Sequence, residues 1–157
     1  MKVTIFNGSP MRNDRLSSLT SETLKMIQSG GGKAEEYFLY FMDIKGCINC
    51  GVSRPDDELK LLIDEFVSSD IAVFASPLYP LGLSGSLKIF IEELFSQSKF
   101  DEKLAERIRG KKIAVMITAN EGCDEDDAVR PLRILCESFG MNFAGAFDSI
   151  PDMIKRA

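Results

Sequence analysis

Histidine is absent from all 157 residues. That one absence removes Ser-His and Cys-His nucleophile systems, histidine-ligated metals and a histidine general base together. No long run of Lys and Arg appears either. With a formal net charge of −5 and a pI near 4.9, the chain lacks the electrostatic footprint of a nucleic-acid or anionic-membrane partner. Apolar runs stop after roughly five to eight residues, far below the ~20 that span a bilayer, and no charged-then-apolar leader opens the sequence. The expectation is a cytoplasmic protein. Cysteine is scarce: Cys47, Cys50, Cys123 and Cys136, at uneven spacing, read as free thiols rather than a disulfide framework. What remains, with 45% hydrophobic content, is enough for one well-buried core, so residues 1–157 are expected to form a single domain.

The most informative stretch runs from Lys2 to Leu19. Val3, Ile5 and Phe6 form a short β-branched and aromatic run, Asn7-Gly8-Ser9-Pro10 breaks it, and Leu16, Leu19, Thr23 and Met26 recur at helical spacing. A buried strand ending in a turn that leads into a helix aims free backbone N–H groups at one spot, where the helix dipole favours an anion. Ser9, Ser17 and Ser18 can donate hydrogen bonds there, and Arg12 and Arg15 can add charge-assisted ones. The stretch reads as a phosphate cradle; the alternative is an ordinary strand-to-helix turn with surface arginines.

The rest of the chain repeats the same unit. After the Gly30-Gly31-Gly32 break, a second strand is expected over Glu36 to Phe41. Cys47-Ile48-Asn49-Cys50-Gly51 falls in a loop, and Pro55-Asp56-Asp57-Glu58 supplies an acidic first turn for a helix with Leu59, Leu62, Ile63, Phe66 and Val67 on one face. Ile71 to Ala75 is an unbroken apolar run, as a central parallel strand requires. Ser76 to Gly82 ends it, and Leu83, Leu87, Phe90, Ile91 and Leu94 restart the helical period. A part-helical polar segment, Ser96 to Arg109, leads to a fourth strand over Lys112 to Thr118. Beyond the polar loop Ala119 to Asp127, the residues Ala128, Leu132, Leu135, Cys136 and Phe139 mark a helix that Gly140 stops, and Met141 to Phe147 is the fifth strand.

Strict β-α alternation implies an α/β fold, with a parallel sheet joined by right-handed crossovers and helices on both faces. Five strands fit the order 2-1-3-4-5. Ligands of such sheets bind beyond the carboxyl ends of the strands, where strands 1 and 3 diverge, which gathers the loops Asn7–Ser17, Ser76–Gly82 and Ala119–Asp127 at one edge. Ser149 to Ala157 is too short for a long final helix. The expectation is therefore a shortened or absent final helix and an apolar sheet surface for a second copy to cover, giving a homodimer.

The segments Gly8-Ser9-Pro10, Ser76-Pro77-Leu78-Tyr79 and Leu87-Lys88-Ile89-Phe90-Ile91, in this order, resemble the NADPH-dependent FMN reductase family of flavodoxin-like proteins, including its iron-sulfur flavoprotein branch. The likeness runs over nearly the whole chain and implies a three-layer flavodoxin-like fold. It also implies FMN as cofactor, NADPH or NADH as electron donor, and a flavin, quinone or similar small molecule as acceptor. By that likeness the loop carrying Ser9, Pro10, Arg12, Arg15, Leu16 and Ser17 holds the FMN phosphate. Pro77, Leu78, Tyr79, Pro80 and Gly82 line one side of the isoalloxazine, and Ala119, Asn120, Glu121 and Gly122 approach it from the fourth strand. Backbone N–H groups from Pro80 to Gly82 or Asn120 to Gly122 are placed to hydrogen-bond the ring. No protein acid, base or nucleophile is required, because hydride and electron transfer belong to the flavin.

The chain departs from the family pattern in two loops. Met11 follows Pro10 where an Arg is usual, and Arg15-Leu16 stands where an Asn-Thr or Asn-Ser pair is usual, so Arg12 or Arg15 is proposed to compensate electrostatically. Glu121, Asp124, Glu125, Asp126 and Asp127 replace a Gly-rich segment. Acids there either oppose an incoming pyridine-nucleotide phosphate or sit at a helix N-terminus, the reading the dipole favours. The Cys47-x-x-Cys50 pair is read as a structural loop before a redox dithiol or a metal or cluster site, since a cluster usually takes four thiolates and only two are local. Cys123, ~14 Å away at ~4.8 Å per strand spacing, is too far to share a site, and Cys136 belongs to an apolar helix face. Two other functions remain open: a flavodoxin-like binding module without cofactor, and an FMN electron carrier served by a protein partner whose approach the acids would steer.

Overall fold

The computed structural model of the chain describes residues 1–46, 58–80, 82–119 and 124–148. The strands are β1 (Lys2–Asn7), β2 (Lys33–Phe38), β3 (Ile71–Pro77), β4 (Lys112–Thr118) and β5 (Asn142–Phe147). The helices are α1 (Arg15–Ser29), α2 (Leu59–Ser68), α3 (Gly85–Phe100), α4 (Glu102–Ile108) and α5 (Glu125–Ser138), with a 3₁₀ turn at Leu39–Phe41. The strands form one five-stranded sheet, all pairs parallel, in the order β2-β1-β3-β4-β5. This is the flavodoxin-like topology expected from the alternation.

Side-chain alternation on the central strands divides the core. Val3, Ile5, Val73, Ala75 and Met116 face α1, which lays Leu16, Leu19, Leu24 and Ile27 against them. Phe6, Phe74, Ile113, Val115 and Ile117 face the opposite layer, where α2 contributes Leu62 and Phe66, α3 Leu87, Phe90 and Leu94, and α5 Val129, Leu132 and Cys136. Phe6 is the hub of that layer. Its ring lies 4.7 Å from Phe90, 5.9 Å from Phe74 and 6.0 Å from Phe66, centroid to centroid. Burying an aromatic of this size is worth ~1.5–3 kcal/mol before the ring–ring contacts are added.

Several boundaries differ from the sequence reading. The second strand starts at Lys33 and ends at Phe38, and the apolar run that suggested a strand to Phe41 instead turns into the 3₁₀ segment. The reason is that β2 is an edge strand with β1 as its one partner, so its length is set by the register Lys2↔Lys33 to Asn7↔Phe38 and not by apolar content. Leu39 enters the core while Tyr40 and Phe41 stay exposed. In α1, Met26 is exposed and Ile27 takes the inward position.

Beside β4 and β5, where an uncovered apolar sheet face was expected, Ala114, Met116 and Phe147 are buried, whereas Phe143 and Ala144 are half-buried and Ala146 is exposed. The final-helix expectation concerns residues 149–157, outside the described residues. Among the described residues, no helix is long and apolar enough to cross a membrane.

Candidate functional site

The turn between β1 and α1 is built by its own side chains. Buried Asn7 fixes the first step: its Oδ1 accepts the Ser9 N–H at 2.8 Å, and its Nδ2 donates to Glu36 Oε1 at 2.8 Å, which ties the turn to β2. Asp14 closes the turn as the N-cap of α1. Its Oδ1 accepts the Ser17 N–H at 2.7 Å, and its Oδ2 accepts the hydroxyl of buried Ser9 at 2.6 Å. Partial burial pushes the Asp14 carboxyl up, but the hydrogen bonds from Ser9 and Ser17 outweigh it and hold the group below its ordinary 3.8. The Ser17 hydroxyl donates to the Met11 carbonyl at 2.9 Å, and that of Ser18 to the Asp14 carbonyl at 3.1 Å. The hydroxyls expected to meet a phosphate are thus already donating inside the turn. Ser9 and Ser17, expected from sequence to meet a phosphate, hold the backbone of the turn in this structure.

What the turn leaves open is backbone. Among the described residues, the N–H groups of Arg12, Asn13, Asp14, Arg15 and Leu16 have no hydrogen-bond partner, and they cluster at the positive end of α1. Two cations flank them. The Arg12 guanidinium lies over the rings of Phe38 and Phe41, 5.1 and 4.6 Å from their centroids, so the end of β2 anchors it at the rim. Arg15 is exposed at the first position of α1. Leu16, expected at the phosphate, packs its fully buried side chain into the core between α1 and the sheet, and only its backbone N–H is left for a ligand. Pro10 is half-buried within the turn.

The turn after β3 is tight. Tyr79 and Gly82 exchange both backbone bonds, at 2.9 and 2.8 Å, and Gly82 has φ +98°, where a side chain would be strained. Of the N–H groups expected to reach a ring from Pro80 to Gly82, Pro80 has none and that of Gly82 is spent on Tyr79, while Leu81 lies outside the described residues. Leu78 is fully buried and donates its N–H to the Thr118 carbonyl at 3.0 Å, so it clamps β3 to β4 instead of lining a site. Pro77 is half-buried at the strand end. Exposed Tyr79, with Pro80 and Gly82, borders a groove of ≈ 610 Å³ between α3 and α5, whose apolar wall includes Leu83, Ile91 and Leu132. Asp124 and Asp127 also border it. Asp124 caps α5, accepting the Asp127 N–H at 3.1 Å, and Glu125, Asp126 and Asp127 fill the first turn, which is the helix-terminus reading of these acids.

The two regions are joined at the start of α3. Gly8 donates its N–H to Ala75 at 2.8 Å, its carbonyl accepts the Ser86 hydroxyl at 3.2 Å, and the Ser84 N–H donates to Ser76 Oγ at 2.8 Å. The phosphate-side residues Ser9–Ser17 do not line the groove beside Tyr79. Ala119 is exposed directly after β4, while Asn120, Glu121 and Gly122, like Cys47, Cys50 and Cys123, lie outside the described residues. Cys136 is fully buried in the core, and burial pushes its thiol up to about 12. Asn7, Asp14, Ser84 and Ser86 were missed from sequence. Asp14 and Ser84 carried a signal, each a capping residue directly before a helical period; the Ser86–Gly8 contact spans 78 positions and leaves no local trace.

The comparisons agree with this geometry. Residues 1–150 match the family model described as flavodoxin-like fold. An iron-sulfur flavoprotein of Archaeoglobus fulgidus is 32% identical over 103 residues, covering 60% of this chain and 46% of that protein. One from Clostridioides difficile is 22% identical over 155 residues, covering 93% of this chain and 66% of that protein. The chain thus spans about half to two thirds of the length of these curated relatives. Among solved structures, the apo form of an NADH:FMN oxidoreductase superposes with a TM-score of 0.66 at 19% identity, covering 92% of this chain and 74% of that one. The likeness to iron-sulfur flavoproteins that the Gly-Ser-Pro and Ser-Pro-x-Tyr segments suggested is thereby borne out, and the chain belongs to the family of flavodoxin-like fold.

Proposed function

We propose that this chain is an FMN-dependent NAD(P)H oxidoreductase that passes electrons to a flavin, quinone or similar acceptor. The observation that carries the reading is the donor set at the mouth of α1. Unpartnered N–H groups of Arg12 to Leu16, with the guanidinium groups of Arg12 and Arg15, stand at the carboxyl edge of a parallel sheet, where this fold takes its ligands. These residues fit the phosphate of FMN. The backbone would hold it, and the arginines would stand in for the usual side-chain hydroxyls. Exposed Tyr79, with half-buried Pro77 at the end of β3, is the surface against which the ring would lie. When bound, FMN supplies the hydride and electron transfer. The chain's part is to hold the phosphate, orient the ring and leave one face open. The names of the iron-sulfur flavoproteins and of the NADH:FMN oxidoreductase support flavin chemistry for this chain.

An iron–sulfur cluster fits less well. It usually takes four thiolates, and buried Cys136 is unavailable, which leaves Cys47, Cys50 and Cys123, outside the described residues. The flavin is therefore the proposed redox group.

One observation favours a second reading. Asp124 and Asp127, at the start of α5, border the groove beside Tyr79, where they suit a charge-steered protein partner better than a pyridine-nucleotide phosphate. Such a protein would carry electrons on FMN without consuming NAD(P)H. The test is NADH and NADPH consumption by the purified chain with FMN and a water-soluble quinone. Consumption that requires protein, FMN and quinone together is the expected result. Flavin binding without consumption favours the carrier, and neither binding nor consumption leaves a cofactor-free module.

A further inference from the structure

The anion seat at the mouth of α1 already contains an anion. Asp14 Oδ2 lies 2.6 Å from the Ser9 hydroxyl and Oδ1 lies 2.7 Å from the Ser17 N–H, so the chain's own carboxylate takes two donors that a phosphate would otherwise use. It also offsets part of the positive helix end. Ser9 is fully buried, which makes this contact part of the turn's architecture rather than a surface coincidence. A flavin phosphate carries a charge of about −1.5 to −2 at neutral pH. On arrival it meets the free N–H groups of Arg12 to Leu16 and two guanidinium groups, but also this fixed negative charge. A flavin without phosphate meets no such opposition.

We propose that Asp14 is a specificity-determining residue of the flavin site: its carboxylate selectively weakens the hold on phosphorylated flavin, so that FMN is bound and released as an exchangeable ligand instead of being retained. The inference rests on the flavin reading above. It separates two quantities that a uniformly strong phosphate cradle would tie together, affinity for the ring and affinity for the phosphate.

The experiment is a calorimetric titration of FMN and of riboflavin into the unaltered chain, Asp14→Asn and Asp14→Ser. Asn and Ser cap helices about as well as Asp and keep an oxygen for the Ser17 N–H, and far-UV circular dichroism checks that each variant folds. Removing one negative charge beside a group of charge about −2 is worth roughly tenfold or more in affinity. The expected result is FMN binding tightened about tenfold or more in both variants, with riboflavin changed less than about twofold. Asp14→Asn should also keep FMN through a desalting column that strips it from the unaltered chain. FMN affinity that is unchanged or weaker in both folded variants, while riboflavin still binds, overturns the role of Asp14 and leaves the flavin reading standing. Failure of all the proteins to bind either flavin overturns both.

Discussion

Gly8 and Ser84 approach so closely that a Cβ added to Gly8 would lie 2.2 Å from Ser84 Oγ, and 2.9 Å from Leu87 Cβ. The glycine after β1 therefore serves the packing of α3 against the turn, a role distinct from admitting a ligand. Gly8→Ala should destabilise the fold by about 1–3 kcal/mol in urea denaturation, the usual cost of overpacking. In a Ser84→Ala background the cost of the same change should fall, because the nearest clash is gone while Leu87 Cβ remains. Strictly additive losses would contradict the contact.

Arg15 is the freer of the two cations. Arg12 is held over Phe38 and Phe41, whereas Arg15 is exposed at the first position of α1. Arg15→Ala should weaken FMN binding by about three- to tenfold and leave riboflavin unaffected, as expected for a charge-assisted contact to phosphate. Equal loss for both flavins would show that Arg15 acts on the ring or on the fold.

Asp14 should make stability depend on pH. Its carboxyl is held below the ordinary 3.8 in the folded chain, so its contribution is fully present above the unfolded value and is lost as pH falls through the folded one. At neutral pH, Asp14→Ala should cost about 1 kcal/mol through the lost cap. The gap between the two proteins should narrow as the pH drops below about 4. Thermal melts from neutral pH downward measure it, and a gap independent of pH would remove the carboxylate from the explanation.

Cys136 should be inert in the folded state. Its side chain is fully buried and its thiol is pushed up to about 12, so the nucleophilic thiolate is scarce at pH 8. Alkylation followed by peptide mass spectrometry, which resolves it from Cys47, Cys50 and Cys123, should label Cys136 only after denaturant is added. Native-state labelling at the rate of an exposed thiol would contradict its place in the core.

The sheet order was legible because β1, β3 and β4 are dense apolar runs, and β4 begins and ends where the pattern put it. β2 was misplaced because an edge strand built from Lys33, Ala34, Glu35 and Glu36 needs only a partner and a register. Of the site, the strand-turn-helix and its arginines could be read, since spacing alone reveals them. The serine hydroxyls could not be assigned from sequence, because the direction of a hydrogen bond depends on a neighbour such as Asp14 whose side chain folds back over the turn. The role of Gly8 was hidden for a related reason, as its neighbour Ser84 arrives only when β3 and α3 are in place.

The most direct test is to titrate FMN into the isotopically labelled chain and follow its backbone amides by NMR. Saturable shifts centred on the amides of Arg12 to Leu16, extending to Tyr79 and Gly82, are the expected result. Shifts confined to other parts of the chain, or none at FMN concentrations well above those that saturate known flavoproteins, would contradict the placement of the flavin at the mouth of α1.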